Sequence, residues 1–202
     1  MLFLIVLTLL AQSPQIESVP NPRSPHERVT DQAQIIEPVA RDRLNSQIDR
    51  LNQEIGVEIA VVTVPSVSGV PREFALELFN YWGIGDAETN NGFLIFLAVQ
   101  QRRLETITGT GLEGVLTDAW LQQMQDTEMV PLFRSGMFGA GLEAGMKAVE
   151  EHLRSAPGEM ASASPNADSG RLEPQLNAPA RGPAAKGISE PDTTRSATPR
   201  PW

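Results

Sequence analysis

The sequence predicts an α/β domain, a three-layer α/β/α sandwich around a small mixed sheet, Rossmann-like in outline. Three observations carry this. VEIAVVTV (57–64) and FLIFLAV (93–99) are short, almost wholly apolar runs, which suits strands buried on both faces. Segments of helical periodicity precede and follow them. No further strand pattern appears after Thr108, so the chain ends its patterned region in helices.

In chain order, residues 1–11 (MLFLIVLTLLA) are apolar apart from Thr8. The run is short for a bilayer span and suits the core of a secretory signal. A basic start is missing, but small residues near Ala11 and Ser13 resemble an exit site, so residues 1–13 read as a signal peptide or N-terminal anchor. Residues 14–28 form a Pro-rich spacer, and 29–154 form the domain. In the segment 38–56, Leu44, Ile48, Leu51 and Ile55 recur at helical spacing, and Gly56 stands at the C-cap position.

Strand 57–64 follows, then a loop from Pro65 to Pro71. Pro71 opens a second helix that turns Phe74, Ala75, Leu78, Phe79 and Trp82 to one side, an aromatic stripe most simply assigned to the core. Residues 83–92 (GIGDAETNNG) are a polar loop. Strand 93–99 pairs with 103–108 as a hairpin. Thr117 caps a helix to about Glu128, where Val130–Pro131 interrupts it. A last helix covers roughly 139–153. Beyond, 155–202 is Pro/Ala-rich without apolar periodicity and reads as a disordered tail.

The chain has no cysteine, which excludes disulfides, zinc-thiolate sites and a cysteine nucleophile. Its two histidines lie at the margins of the patterned region. The net charge of −9 belongs to the domain, where 18 Asp+Glu stand against 9 Lys+Arg. That balance disfavours nucleic acid as a partner and favours cations.

Gly109, Gly111 and Gly114 in GTGLEG spell G-x-G-x-x-G. A dinucleotide site also needs a following strand with an acidic residue about 20 residues on. Only helix follows here, and Glu113 would repel a pyrophosphate inside the loop. No Gly-Lys-Ser/Thr stands there either, so nucleotide binding is rejected. The glycines are expected to serve a sharp turn, with positive φ available to them.

Three loops carry oxygen ligands without nitrogen or sulfur: Asp31 in VTDQAQII, the stretch Asp86–Gly92, and Glu113 with Asp118. Such a set suits a hard cation, calcium before magnesium. The second loop is not an EF-hand, because its glycine is one place late and Leu97 stands where the bidentate glutamate belongs. Either the loops converge on one composite site, or Asp31 and Asp118 merely cap turns and helices while Asn90–Asn91 turns the chain.

VTDQAQII, EIGVEIAVVTVPSV, YWGIGDAETNNGFLIFLAV and RRLETITGTGLEGVLTD together resemble the TPM domain family. The most specific parts are WGIG (82–85), NNG (90–92) and GTGLEG (109–114), in that order. The resemblance implies an exported α/β/α domain, associated in the family with calcium or other divalent ions. It also implies links to acid phosphatase activity, photosystem II repair and membrane-protein assembly. Carried onto matching positions, Asp31, Asn91, Glu113 and Asp118 become the candidate metal ligands. Arg103 matches a position the family often holds basic.

The function expected is therefore that of an exported, periplasmic or extracellular domain, free or tethered by an uncleaved N-terminus. It would bind a divalent cation and assist assembly or repair of another envelope or membrane protein. The alternative is a metal-dependent acid phosphatase acting on phosphomonoesters. A phosphatase needs positive charge on the transferring group, and GTGLEG supplies none.

Overall fold

The computed structural model describes residues 16–22, 27–155 and 201–202. The expected signal segment, 1–13, lies outside the described residues, as does most of the expected tail. No described helix is long and apolar enough to cross a membrane.

Four strands form one mixed sheet in the order β1-β2-β3-β4: β1 Val29–Asp31, β2 Glu58–Val64, β3 Gly92–Ala98 and β4 Arg103–Thr108. The first three are parallel and β4 runs antiparallel to β3. β1 is an addition to the sequence reading, which placed Asp31 in a loop.

α1 (Pro38–Ile55) joins β1 to β2, and α2 (Pro71–Trp82) joins β2 to β3. Both start with proline, whose missing N–H is unneeded in a first turn. Both end on a left-handed glycine, Gly56 and Gly83. α1 lays Leu44, Ile48 and Leu51 on one face of the sheet, against Ile59, Val61, Phe93 and Ile95. α2 lays Phe74, Leu78 and Trp82 on the other, against Val62, Val64, Leu94 and Phe96. Alternation along each strand splits the core this way, and each fully buried Leu or Ile contributes about 1.5–3 kcal/mol.

The two crossovers step across the sheet in the same direction yet place their helices on opposite faces. They are therefore of opposite hand, and one of them departs from the usual right-handed rule. Nor does the strand order reverse, so the sheet lacks the switch point at which doubly wound folds open a ligand crevice.

After β4 the chain returns to the α1 face through α3 (Asp118–Met124), a π-helical turn (Gln125–Met129), α4 (Val130–Arg134) and α5 (Phe138–Ser155). Thr117 caps α3 as expected, accepting from the Trp120 N–H. The expected break at Val130–Pro131 is not a break. The Val130 N–H reaches back to the Gln125 carbonyl, so the wider turn carries the helical path to Pro131, which sits in the first turn of α4 and has no N–H to satisfy.

Part of the expected spacer packs on the domain. Val19 is buried among the α2-face residues, Thr30 Oγ1 donates to the Pro20 carbonyl, and Gln32 Nε2 donates to Ser18. At the other end of the chain, Trp202 is buried against the α1-face cluster.

Candidate functional site: a groove at the free edge of the sheet

Parallel strands give the sheet two chemically distinct ends, and the four expected ligands do not share one. Asp31 ends β1 and pairs in register with Thr63, which pairs with Leu97. Asn91 immediately precedes β3. Six residues of strand at ~3.3 Å each put the two levels roughly 20 Å apart. Glu113 and Asp118 follow β4, whose last residue, Thr108, pairs with Phe93 at the Asn91 end.

The oxygens of Asp31 are already engaged. Its carboxylate accepts from the Ile35 N–H (3.2 Å), the Ile36 N–H (3.0 Å) and the Thr63 hydroxyl. This is the turn-capping role left open in the sequence. Asn91 is engaged as well: its amide donates to the Gly56 carbonyl and its Oδ1 accepts from the Asp86 N–H at 2.8 Å. Asp86 accepts from the N–H groups of Glu88 and Thr89 and from the Thr89 hydroxyl, and the two backbone bonds hold its carboxyl below the ordinary range.

The glycine motifs interlock at this end. The Gly109 N–H donates to Gly92 O (2.8 Å) and the Gly111 N–H to Asn90 O (3.1 Å). A Cβ on Gly92, Gly109 or Gly111 would overlap the carbonyl of Ile84, Asn90 or Thr89 respectively. Neither Gly109 nor Gly111 has positive φ, which corrects the expectation from turn geometry. These positions are glycine because two backbones touch there.

Glu113 and Asp118 differ from the others. Both are exposed, and among the described residues neither carboxylate has a hydrogen-bond or ion-pair partner. They line one groove of about 380 Å³ together with Arg72 and Leu76 of α2, Thr106, Ile107 and Thr108 of β4, and Leu116 and Thr117. The loop bearing Glu113 is steadied from below, where His152 stacks on Trp120 (4.0 Å between ring centres) and donates to the Val115 carbonyl.

Arg72 had no signal in the sequence; only the packing of α2 on β4 brings it here. It lies 3.7 Å from Glu105. Glu105 is 3% exposed, and burial pushes its carboxyl up, with Arg72 and Arg103 offsetting only part of the effect. Arg103 sits on the α2 side of the sheet, outside the groove lining, and its Nη1 is buried with no hydrogen-bond partner among the described residues.

The groove follows the outer edge of β4, one of the two edges of the sheet. Because the Gly109 N–H points toward β3, the backbone groups of Leu104, Thr106 and Thr108 point away from it. Among the described residues those outward groups have no backbone partner. Oxygen-bearing side chains line the groove: the two carboxylates and three threonines, of which Thr106 accepts from Gln125 Nε2 and Thr117 from the Trp120 N–H. No group of three or more His, Cys, Asp or Glu side chains able to hold a metal ion occurs among the described residues. A calcium ion, which takes six to eight oxygens, would draw the rest from hydroxyls, backbone and water.

Sheet, layers and groove together define an α/β/α domain of the mixed-sheet type whose β4 edge carries the groove. The chain belongs to the TPM domain family, whose sequence profile matches residues 29–152. The structure is similar to the N-terminal domain of a protein from P. gingivalis, with 35% identity and a TM-score of 0.67 over 72% of this chain and 94% of that one. It is also similar to the N-terminal domain of the cg2496 protein from Corynebacterium glutamicum (19% identity, TM-score 0.51, 78% of this chain and 93% of that one). The BA42 protein from the psychrophilic bacterium Bizionia argentinensis shares the fold at 18% identity and a TM-score of 0.54, over 59% of this chain and 82% of that one. No curated protein matches the chain.

Proposed function

We propose that this is an exported TPM domain protein whose edge groove takes up a divalent cation, calcium before magnesium, and docks an envelope or membrane protein during its assembly or repair. The observation that carries the reading is the pair of unpartnered carboxylates, Glu113 and Asp118, on one groove beside unpaired strand backbone. Free carboxylates in an acidic domain attract a hard cation. An open strand edge accepts an extended segment of another chain. The apolar run at residues 1–11 supports export.

Thermal unfolding of the full chain in EDTA, then in millimolar calcium or magnesium, tests the cation. A ligand that binds only the folded state raises the midpoint with the logarithm of its concentration above Kd. A saturable calcium shift that disappears in Glu113→Gln is expected. No shift with either ion would remove the cation from the reading.

The second reading, a metal-dependent phosphomonoester hydrolase, is favoured by one observation: Arg72 places a guanidinium on the groove that holds Glu113 and Asp118. A guanidinium can orient and neutralise a phosphoryl group, and a metal held by the two carboxylates would supply Lewis acidity. Turnover of p-nitrophenyl phosphate should copurify with the protein and collapse in Arg72→Ala and Asp118→Asn. Activity that survives both would belong to another protein.

A further inference from the structure

On the α1 face, at the opposite end of β4 from the Glu113 groove, a second depression lies between the β3–β4 turn and the corner joining α4 to α5. With Trp202 in place it measures about 350 Å³, and Trp202 lines it together with Val99, Gln100, Arg102, Phe133, Arg134 and Phe138. The indole packs on Phe133 at 5.5 Å between ring centres and 60° between planes, and Phe133 in turn packs on Phe138 at 5.6 Å. The Trp202 N–H donates to the Arg102 carbonyl at 3.3 Å. Arg102 offers that carbonyl from a tight turn in which it takes a left-handed φ of 50°.

We propose that the Phe133–Phe138 corner beside this depression is an aromatic-anchor docking site and that the chain occupies it in cis with Pro201–Trp202. Three features fit it to that ligand. Its floor is aromatic and apolar, which rewards burial of a large flat side chain. Its rim presents a backbone acceptor, Arg102 O, that fixes the incoming main chain by one directed hydrogen bond. Pro201 precedes the anchor and remains exposed, so its fixed φ restricts the approach of the segment without occupying the floor. Without Trp202, Phe133 and Phe138 would face water at the corner of the helical layer. Because the ligand is covalently attached, occupancy is independent of protein concentration. A partner's aromatic anchor must displace it to reach the same floor.

The test uses the full chain labelled with 5-fluorotryptophan. The protein has three tryptophans, so Trp202→Phe assigns one fluorine resonance outright. That resonance should be displaced from its position in a free peptide of residues 196–202, and unchanged on hundredfold dilution. In Phe138→Ala, which alters only a half-buried wall of the site, it should move toward the free position. Fluorescein-labelled peptide 196–202 should bind the Trp202→Ala chain at least tenfold more tightly than the wild-type chain. A Trp202 resonance at the free-peptide position would overturn the proposal. A resonance that shifts on dilution would assign the anchor to a second copy and overturn docking in cis. Equal peptide binding by wild type and Trp202→Ala would show that peptide and Trp202 use different surfaces, which also overturns it.

Discussion

The polar loops around the sheet hold similar side chains in opposite conditions, even where they share one end of it. Asp31, Asp86 and Asn91 direct their oxygens at the protein's own N–H groups and hydroxyls, and Asn91 also donates to a backbone carbonyl. Glu113 and Asp118, a few residues beyond the interlocked glycines, have no such partners among the described residues. An acidic or amide residue in a loop is thus of two kinds. One kind satisfies backbone donors that would otherwise be stranded. The other leaves its lone pairs open to solvent. Residue type does not separate them; the hydrogen bonds do.

If the interlocked part is structural, breaking it should give the largest effect. Gly111→Ala drives a methyl into the Thr89 carbonyl, where only backbone can yield. Overpacking against backbone should cost ~3 kcal/mol, measured as a lower urea midpoint at unchanged m. A loss under 1 kcal/mol would mean that the two loops part easily, and the contrast between locked and free segments would fail.

Next in size is Asp31→Ala, which strands the Ile35 and Ile36 N–H groups and the Thr63 hydroxyl. Unsatisfied buried donors cost about 1–3 kcal/mol. Asp31→Asn, which keeps one acceptor oxygen, should recover part of the loss. Calcium should leave the midpoint shift of both variants as in wild type, since Asp31 stands far from the groove.

Most of the architecture was legible because periodicity reports burial directly. The apolar runs of β2 and β3, the alternation of β4 and the stripes of α1 and α2 each face a packed layer. β1 was not legible. Three residues show no period, and Val29–Asp31 is a strand only because β2 lies beside it. The π turn escaped for a related reason: a proline signals a missing N–H, and the chain answered by widening the turn before it rather than stopping. At the candidate site, Glu113 and Asp118 could be singled out as exposed carboxylates after β4. Arg72 could not, since it sits in an ordinary helix start and reaches the groove only through the packing of α2 on β4. The NNG motif was visible, but its asparagine proved to be a clamp on the α1 C-cap.

Glu105 sharpens the comparison from the buried side. Its carboxyl is pushed up by burial from an ordinary value of 4.5. The native state therefore binds its proton more tightly than the unfolded chain. Its contribution to stability is greatest at or below pH 4.5 and declines as pH rises through the raised native value. Glu150 acts in the opposite sense. Burial opposes its charge, but hydrogen bonds from Gln47 and Arg154 with the Arg50 charge hold it below the ordinary range, so its contribution is lost as pH falls. The difference between wild type and Glu105→Gln isolates the first effect. The variant's advantage should grow from pH 4.5 upward, limited by the two nearby arginines, which offset part of the burial. An advantage that shrinks with rising pH would mean that Arg72 and Arg103 outweigh burial.

The smallest effects on stability belong to the groove itself, and smallness is the point. Glu113→Gln removes an exposed charge without a described partner and should change stability by no more than ~0.5 kcal/mol in EDTA. Asp118→Asn should cost slightly more, ~0.3–1 kcal/mol, because Asp118 stands in the first turn of α3 where a negative charge favours the helix dipole. Both should nevertheless abolish the calcium-dependent rise of the unfolding midpoint. That pairing of near-silent stability and lost ligand response distinguishes a site from a structural element. Should either variant lose as much stability in EDTA as Asp31→Ala, its carboxylate belongs with the locked group and the groove loses its ligand. If both stay stable and keep the full calcium response, the cation binds elsewhere on the acidic surface, and the groove retains only its open strand edge as a feature for a partner to use.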